Sequence, residues 1–514
     1  MSITLSDHDK STLRTAAYGA VSLMAAATGD PRRAATNAAL ALTSATGVIG
    51  HALAAKPTEI AVTGRTVAEL ADQVLPALAA TVHLLSERDP AAAGDFRSTI
   101  LLALEAAQIH PDGPGPAAAE MARTITAALA AGTAPDSDTG PVAAGPDRPE
   151  LQRALQEIVD SGFTGITLRV HDERGEWVGS AGVAELGEAV PPPIDGHIRI
   201  GSATKTFTAT LVLQLVAEGR VGLDTPVVDY LPEFALDGRV TVRMLLQHTS
   251  GIFNFTGEVF DDGAIVAGIR IPYGASGAEW AADRFAVYRP QELVELALSE
   301  PARFEPGTNW SYSNTNYVLA RLLIEKATGR SLAQEMRQRI LGPLGLSGTV
   351  LPDASPEIPE PHAHAYYRYD DAGQRQTIDI TRQNPSWIST GGDMISTTRD
   401  LHTFLSALMS GKLLPAPLLA QMCTPHPTPL PHMGCGLGVF VVETDGGTVI
   451  SHNGAAVGHA ALMYSTPDGS KTLTAALNCV DDPGLSIATA FRDAQQRLVD
   501  EVFADSGAAR RVHH

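Results

Sequence analysis

The feature that most constrains how this chain can fold is a change of character at residues 133–149. That stretch is dominated by Ala, Pro, Gly, Asp and Thr. Such a composition cannot bury enough apolar surface to order itself, and it reads as a linker. Before it, residues 1–132 carry alanine-rich segments at 11–27, 31–55, 66–88, 90–109 and 115–131. Short breaks with Gly, Pro, Asp or Thr separate them, as expected for a compact bundle of helices. Arg88-Asp89-Pro90 and His110-Pro111-Asp112-Gly113-Pro114 are the clearest breaks. The bundle holds no catalytic constellation. An interaction or oligomerisation module, able to make a homo-oligomer, is the functional expectation for it, and a stabilising appendage is the plainer one.

After the linker the pattern becomes mixed. A helix is expected at 150–161, then strands at 165–171 and 176–184 around the turn Asp172-Glu173-Arg174-Gly175. Near the other end, strands are expected at 437–443, 447–452, 459–465 and 472–478, with a closing helix at 485–503 and a tail at 506–514. The fold class this predicts is α/β: an antiparallel sheet built from both ends of residues 150–505, flanked by helices, with an inserted helical subdomain. An active site is expected at the seam between sheet and helices, where clefts form.

Bulk properties narrow the function. The 514 residues carry a net charge of −20, which excludes a phosphate-backbone or anionic-lipid partner. Cys423, Cys435 and Cys479 are an odd set without a Cys-x-x-Cys, so neither a disulfide framework nor a zinc site is expected. His362 and His364 lack a further ligand at a suitable spacing and read as a solvated loop rather than a metal site. No cofactor is called for. No basic segment leads into an apolar core at the start of the chain, so a cytoplasmic location is expected. The uncharged stretch 34–55 is interrupted by Thr36, Asn37, Thr43, Ser44, Thr46 and His51, and it reads as a bundle helix rather than a membrane span.

The chemistry is carried by three motifs. Ser202 and Lys205 lie in Ile200-Gly-Ser-Ala-Thr-Lys-Thr-Phe207, just before the apolar run Leu211 to Leu215. That puts Ser202 at a helix N-terminus, where unpaired N–H groups and the helix dipole favour developing negative charge. Lys205, three residues on, shares its helix face. A serine needs a base to become a nucleophile, and a desolvated lysine can serve. Tyr312-Ser313-Asn314 and His452-Asn453-Gly454 follow at wide spacing. A second His-x-Gly, His432-Met433-Gly434, lies upstream. The strand context favours His452.

In this order the motifs resemble the D-alanyl-D-alanine carboxypeptidase and class C β-lactamase superfamily, in which Tyr-x-Asn and His-x-Gly stand for the Ser-Asp-Asn and Lys-Thr-Gly of class A enzymes. Residues 245–252, 305–317 and 391–400 also resemble it. The resemblance implies that Ser202 forms an acyl-enzyme and that Lys205 and Tyr312 share the proton traffic. Which of the two takes the serine proton stays open. It implies that Asn314 holds the substrate amide and that His452, Asn453 and Gly454 edge the cleft. Backbone N–H groups of Ser202 and Ala455 would form the oxyanion hole. Phe260 and Trp387 would wall the pocket, with Phe255 a further wall.

One position departs from the resemblance. Phe440 stands where an arginine for the substrate's terminal carboxylate is expected, and no Lys or Arg occurs from Leu413 to Ser470. A buried carboxylate without a cation is strongly disfavoured. The expected activity is therefore acyl transfer from a neutral ester or peptide-like amide, to water or an amine. D-alanyl-D-alanine carboxypeptidase or β-lactamase activity is the alternative within the superfamily. A catalytically weak, penicillin-binding-like scaffold is the alternative outside enzymes.

Overall fold

The computed structural model describes residues 7–43, 47–53, 67–107, 116–131, 147–259, 265–269, 271–273, 277–371 and 373–503. Phe260, most of the expected linker and the tail lie outside the described residues. The chain divides into two compact units, 1–142 and 143–514.

The first unit contains helices at Asp7–Ala26, Pro31–Thr43, Gly47–Leu53, Val67–Arg88, Pro90–Ala107 and Pro116–Ala131. Three of them start on proline, whose missing N–H costs nothing at the first helical position. Leu13, Leu23, Val74, Leu78, Val82, Phe96 and Ile100 form its core. The segment expected as one helix over 31–55 holds two helices, and residues 44–46 and 54–55 lie outside the described residues. Among the described residues no helix is long and apolar enough to cross a membrane.

The second unit is built on a sheet closed by both of its ends. Phe163–Asp172 pairs antiparallel with Thr472–Asp481 on one side and with Gly175–Gly182 on the other. The order continues through His459–Ser465, Gly447–Ser451, Phe440–Thr444, Met433–Cys435 and His426–Pro427. The expected antiparallel sheet carries one parallel addition, Tyr366–Asp371 beside Val480 and Asp481.

The central strands are buried on both faces, and their alternation divides two cores. Leu462, Tyr464, Leu473, Ala475 and Leu477 pack against the Pro149–Asp160 and Ala488–Phe503 helices, through Leu151, Leu155, Leu498 and Val502. Ala461, Met463 and Ala476 face the larger core around Phe207, Leu211, Leu213, Phe404 and Leu405. A strand has a side-chain period of two, so one sequence serves both cores. The Thr204–Ala217 helix is central to the larger core and is buried almost all round. Its threonines stay satisfied there: Thr206 Oγ1 donates to Gly438 O at 2.8 Å and Thr210 Oγ1 to Thr206 O at 2.8 Å.

Candidate active site

Ser202 occupies a 3-10 turn, Gly201–Ala203, that runs into the Thr204–Ala217 helix. Gly201 takes φ +50°, and Gly454 faces it from the Gly454–Ala456 strand. A Cβ on Gly454 would sit 1.9 Å from Ile200 O and 2.6 Å from Ser202 N, while one on Gly201 would sit 2.4–2.6 Å from Ala455 backbone atoms. The two glycines let bare backbone meet bare backbone. This brings the His452 motif, rather than His432, to the Ser202 turn. His432 is exposed and precedes the Met433–Cys435 strand, next to the sheet's last strand.

Lys205 is fully buried one helical turn after Ser202. Its Nζ lies 3.2 Å from Ser202 Oγ, 2.7 Å from Asn314 Oδ1 and 2.5 Å from the Gly391 carbonyl. Tyr312 Oη donates to Ser202 Oγ at 2.8 Å, and Nζ stands 4.7 Å above the Tyr312 ring. Burial holds the Lys205 amine well below the usual lysine range, opposed by the Asp393 carboxylate. Burial raises the Tyr312 phenol, opposed by its bond to Ser202. Both shifts run toward the uncharged forms, a free amine and a phenol. A neutral amine has two N–H groups and one lone pair. Nζ faces three oxygens to which it can donate; in the free-amine form the two shorter contacts, to carbonyl oxygens, would use its N–H groups and leave the lone pair toward Ser202 Oγ.

Asn314 opens the Asn314–Thr328 helix. With its oxygen on Lys205, its Nδ2 faces Thr256 Oγ1 at 3.4 Å. His452 falls in a two-residue gap between the Gly447–Ser451 and Gly454–Ala456 strands instead of on a strand. The reason is Asn453. Its Oδ1 accepts the Met463 N–H at 3.2 Å in place of a main-chain carbonyl, and its Nδ2 donates to Tyr464 Oη at 2.5 Å. Both ends of the Asn453 amide are thus held by the sheet. His452 is buried and pushed down to about 3 by burial, with Lys205 adding to the effect, so it is neutral. Phe440 meets it edge to face at 5.2 Å and meets Trp310 at 6.4 Å.

One expected pocket wall sits elsewhere. Phe255 is fully buried in the larger core, because its main chain is pinned between Thr315 and Ile269. Trp387 packs on the cluster of Trp280, Tyr367 and Val457, and lines a hollow with Trp280, Arg284 and Tyr288. His364 is held by Asp379 at 2.6 Å, and among the described residues no group of three metal-ligating side chains occurs. The three cysteines are unpaired thiols.

Sequence reasoning missed two side chains and a carbonyl. His248 is buried in the left-handed region at φ +61°, its ring 4.3 Å from that of Tyr312. Its Nδ1 accepts from Ser313 N at 3.1 Å and faces Asn316 Nδ2 at 3.3 Å, which puts the proton on Nε2. Asp393 and the Gly391 carbonyl come from a segment about 190 residues beyond Ser202 in the chain. Nothing local in the sequence marks them, although His248 and Asp393 both lie in stretches that carry the resemblance.

Comparison with known proteins places this geometry. The family described as Beta-lactamase matches residues 151–497, and the chain belongs to that family. It is accordingly a serine hydrolase of the β-lactamase and transpeptidase fold. It is similar to Penicillin-binding protein 4* of Bacillus subtilis (strain 168), 29% identical over 317 residues, 59% of this chain and 65% of the relative. It is similar to Esterase EstB of Burkholderia gladioli, 34% identical over 186 residues, 34% of this chain and 44% of the relative. The chain thus spans less than two thirds of the length of these curated relatives. Among solved structures, a D-stereospecific amidohydrolase from Streptomyces sp. superposes with a TM-score of 0.60 at 36% identity, covering 69% of this chain and 98% of that one.

Proposed function

We propose that the protein hydrolyses neutral esters or peptide-like amides through an acyl-enzyme on Ser202. The observation that carries this reading is the Ser202 hydroxyl bracketed by Lys205 Nζ at 3.2 Å and Tyr312 Oη at 2.8 Å. In this reading Lys205 accepts the serine proton as Oγ attacks the carbonyl carbon. The carbonyl electron pair moves to oxygen, where the N–H groups of Ser202 and Ala455 receive it. One such donor is worth about 10²- to 10³-fold in rate. Tyr312 passes a proton to the leaving group as the C–O or C–N bond breaks, and is itself reprotonated from Lys205. Water then enters by the same relay in reverse. Asn314 Nδ2, with one N–H on Thr256 Oγ1, keeps its second N–H to hold the substrate's amide carbonyl.

The leaving-group side is where Phe440, Trp310 and neutral His452 converge. An uncharged aromatic wall suits an uncharged leaving group and offers nothing to a free carboxylate. The likeness to an esterase and to an amidohydrolase supports the same substrate class.

The test is intact mass after treatment with a fluorophosphonate, with Ser202→Ala as control, followed by rates on p-nitrophenyl esters, D-amino acid amides and D-Ala-D-Ala peptides. A single adduct lost in the variant, together with esters or amides outrunning the free-acid peptide, supports the reading. Absence of an adduct refutes the acyl-enzyme, and preference for the free-acid peptide refutes the neutral leaving group.

A further inference from the structure

Asp393 is a buried carboxylate close to the Ser202 and Lys205 turn. Two residues before it, Gly391 O takes the Lys205 amine at 2.5 Å. One residue after it, Met394 N–H donates to Thr204 Oγ1 at 3.2 Å, and Met394 O accepts from Ile200 N–H at 3.0 Å. The segment is thus pinned on both sides to the backbone that carries Ser202. Asp393 is 2% exposed, and its Oδ1 has no hydrogen-bond partner among the described residues. It makes no contact ion pair there either. The charged groups that act on it through space are Arg199 from the Ile198–Arg199 strand, Lys205, Arg321 from the Asn314–Thr328 helix, and Asp353. Arg321 already has Glu325 and Asp353 as direct partners.

A dry carboxylate with one oxygen unpartnered and no contact ion pair is costly, and a protein keeps one where a matching charge is useful. Such a charge arises here during catalysis. If Ser202 is deprotonated by Lys205, a fully buried ammonium forms with only neutral acceptors around it. We propose that Asp393 is a positioning residue of this site: a counter-charge, acting without touching substrate, that stabilises the Lys205 ammonium while the Ser202 acyl bond forms. This rests on Lys205 being the proton acceptor. The step stays balanced: Oγ–H breaks, Nζ–H and Oγ–C form, and the carboxylate changes neither bond nor charge. Burial pushes Asp393 up to about 6, with Arg321 and Lys205 pulling it down, so the carboxylate is ionised above that pH.

The test is the pH profile of fluorophosphonate labelling for the full chain and for Asp393→Asn. Without the carboxylate the free amine holds its proton less tightly. The acid limb should therefore move to lower pH, while the plateau rate falls several-fold because the ammonium loses its counter-charge. A uniform loss at every pH, or an unchanged profile, overturns the proposal. Labelling that is absent in the parent, or retained in Ser202→Ala, would instead sink the acyl-enzyme reading itself. A second measurement does not depend on the variant folding. The chain has six lysines, so selective ¹³Cε labelling gives six signals, and Lys205→Met assigns the one that matters. In the parent protein that signal should show an inflection near pH 6 from Asp393, besides its own titration. A single transition overturns the proposal.

Discussion

Gly454→Ala tests how closely the two halves of the site must meet. The new methyl carbon would lie 1.9 Å from Ile200 O, 2.6 Å from Ser202 N and 2.9 Å from Ala203 N. All three are main-chain atoms of the turn that carries Ser202, so no side chain can swing aside. The shortfall from an ordinary contact is about 1.5 Å, and the Gly454–Ala456 strand must retreat from the turn by a similar distance. Overpacking of this kind costs about 1–3 kcal/mol of stability. The larger effect falls on rate. Ala455 N–H moves with the strand, and a displacement of about 1 Å at a reacting centre costs roughly 10²-fold. The assay is kcat/KM on a p-nitrophenyl ester together with a thermal melt. Gly238→Ala serves as control, because nothing lies within 4 Å of its added carbon. Gly454→Ala should lose about 10²-fold in kcat/KM while remaining folded, and the control should match the parent. A Gly454→Ala enzyme within threefold of the parent would refute the argument that Ala455 N–H must stand beside Ser202.

Lys205→Met keeps the volume, removes the amine and leaves the Asn314 and Gly391 oxygens unpartnered; labelling of Ser202 should fall by about 10²- to 10⁴-fold, whereas Tyr312→Phe should slow amide turnover more than labelling, read as kcat against adduct rate. His248→Ala should lower kcat by about tenfold by freeing Tyr312, and His248→Asn should recover part of it, because Asn tolerates φ +61° and can accept the Ser313 N–H. Acid should destabilise the hydrolase unit. His452 and His459 are buried with values of about 3, below the ordinary 6.5, so the unfolded chain binds more protons and stability falls as pH drops from 6.5 towards 3. At pH 5 that is about 2 kcal/mol for each histidine, while Asp393 and Asp481, raised to about 6, return about 1 kcal/mol each. A melting temperature a few degrees lower at pH 5 than at pH 7 is expected, and equal values would contradict the buried neutral histidines.

The parts of the site that the sequence made legible are those whose chemistry needs a particular side chain. Ser202, Lys205 and Tyr312 could be picked out because few other groups can attack, accept or relay a proton. The strands near both ends of the hydrolase unit were legible through the turns that bound them, with 459–465 found to the residue. What stayed hidden depends on tertiary geometry. A carbonyl such as Gly391 O has no residue identity. His248 sits under a tyrosine 64 residues away in the chain, and Asp393 is brought near the Ser202 turn by a segment about 190 residues further on. That Asn453 also ties the sheet together shows only in its pairing with Met463 and Tyr464. Phe255 was read as a wall, but an aromatic ring is equally at home in a core.

The strand that meets the Ser202 turn, Gly454–Ala456, comes about 250 residues later in the chain, and the sheet that holds it is closed by a longer span still. Phe163 pairs with Cys479, more than three hundred residues away. A nascent chain that has released the serine and lysine from the ribosome still lacks the edge that aligns them, so these groups stay unassembled until nearly the whole unit has been synthesised. Assembly waits on the slowest kind of contact to form, one closing a very long loop. Assembly of the site is in this way tied to completion of the sheet that both ends of the unit build.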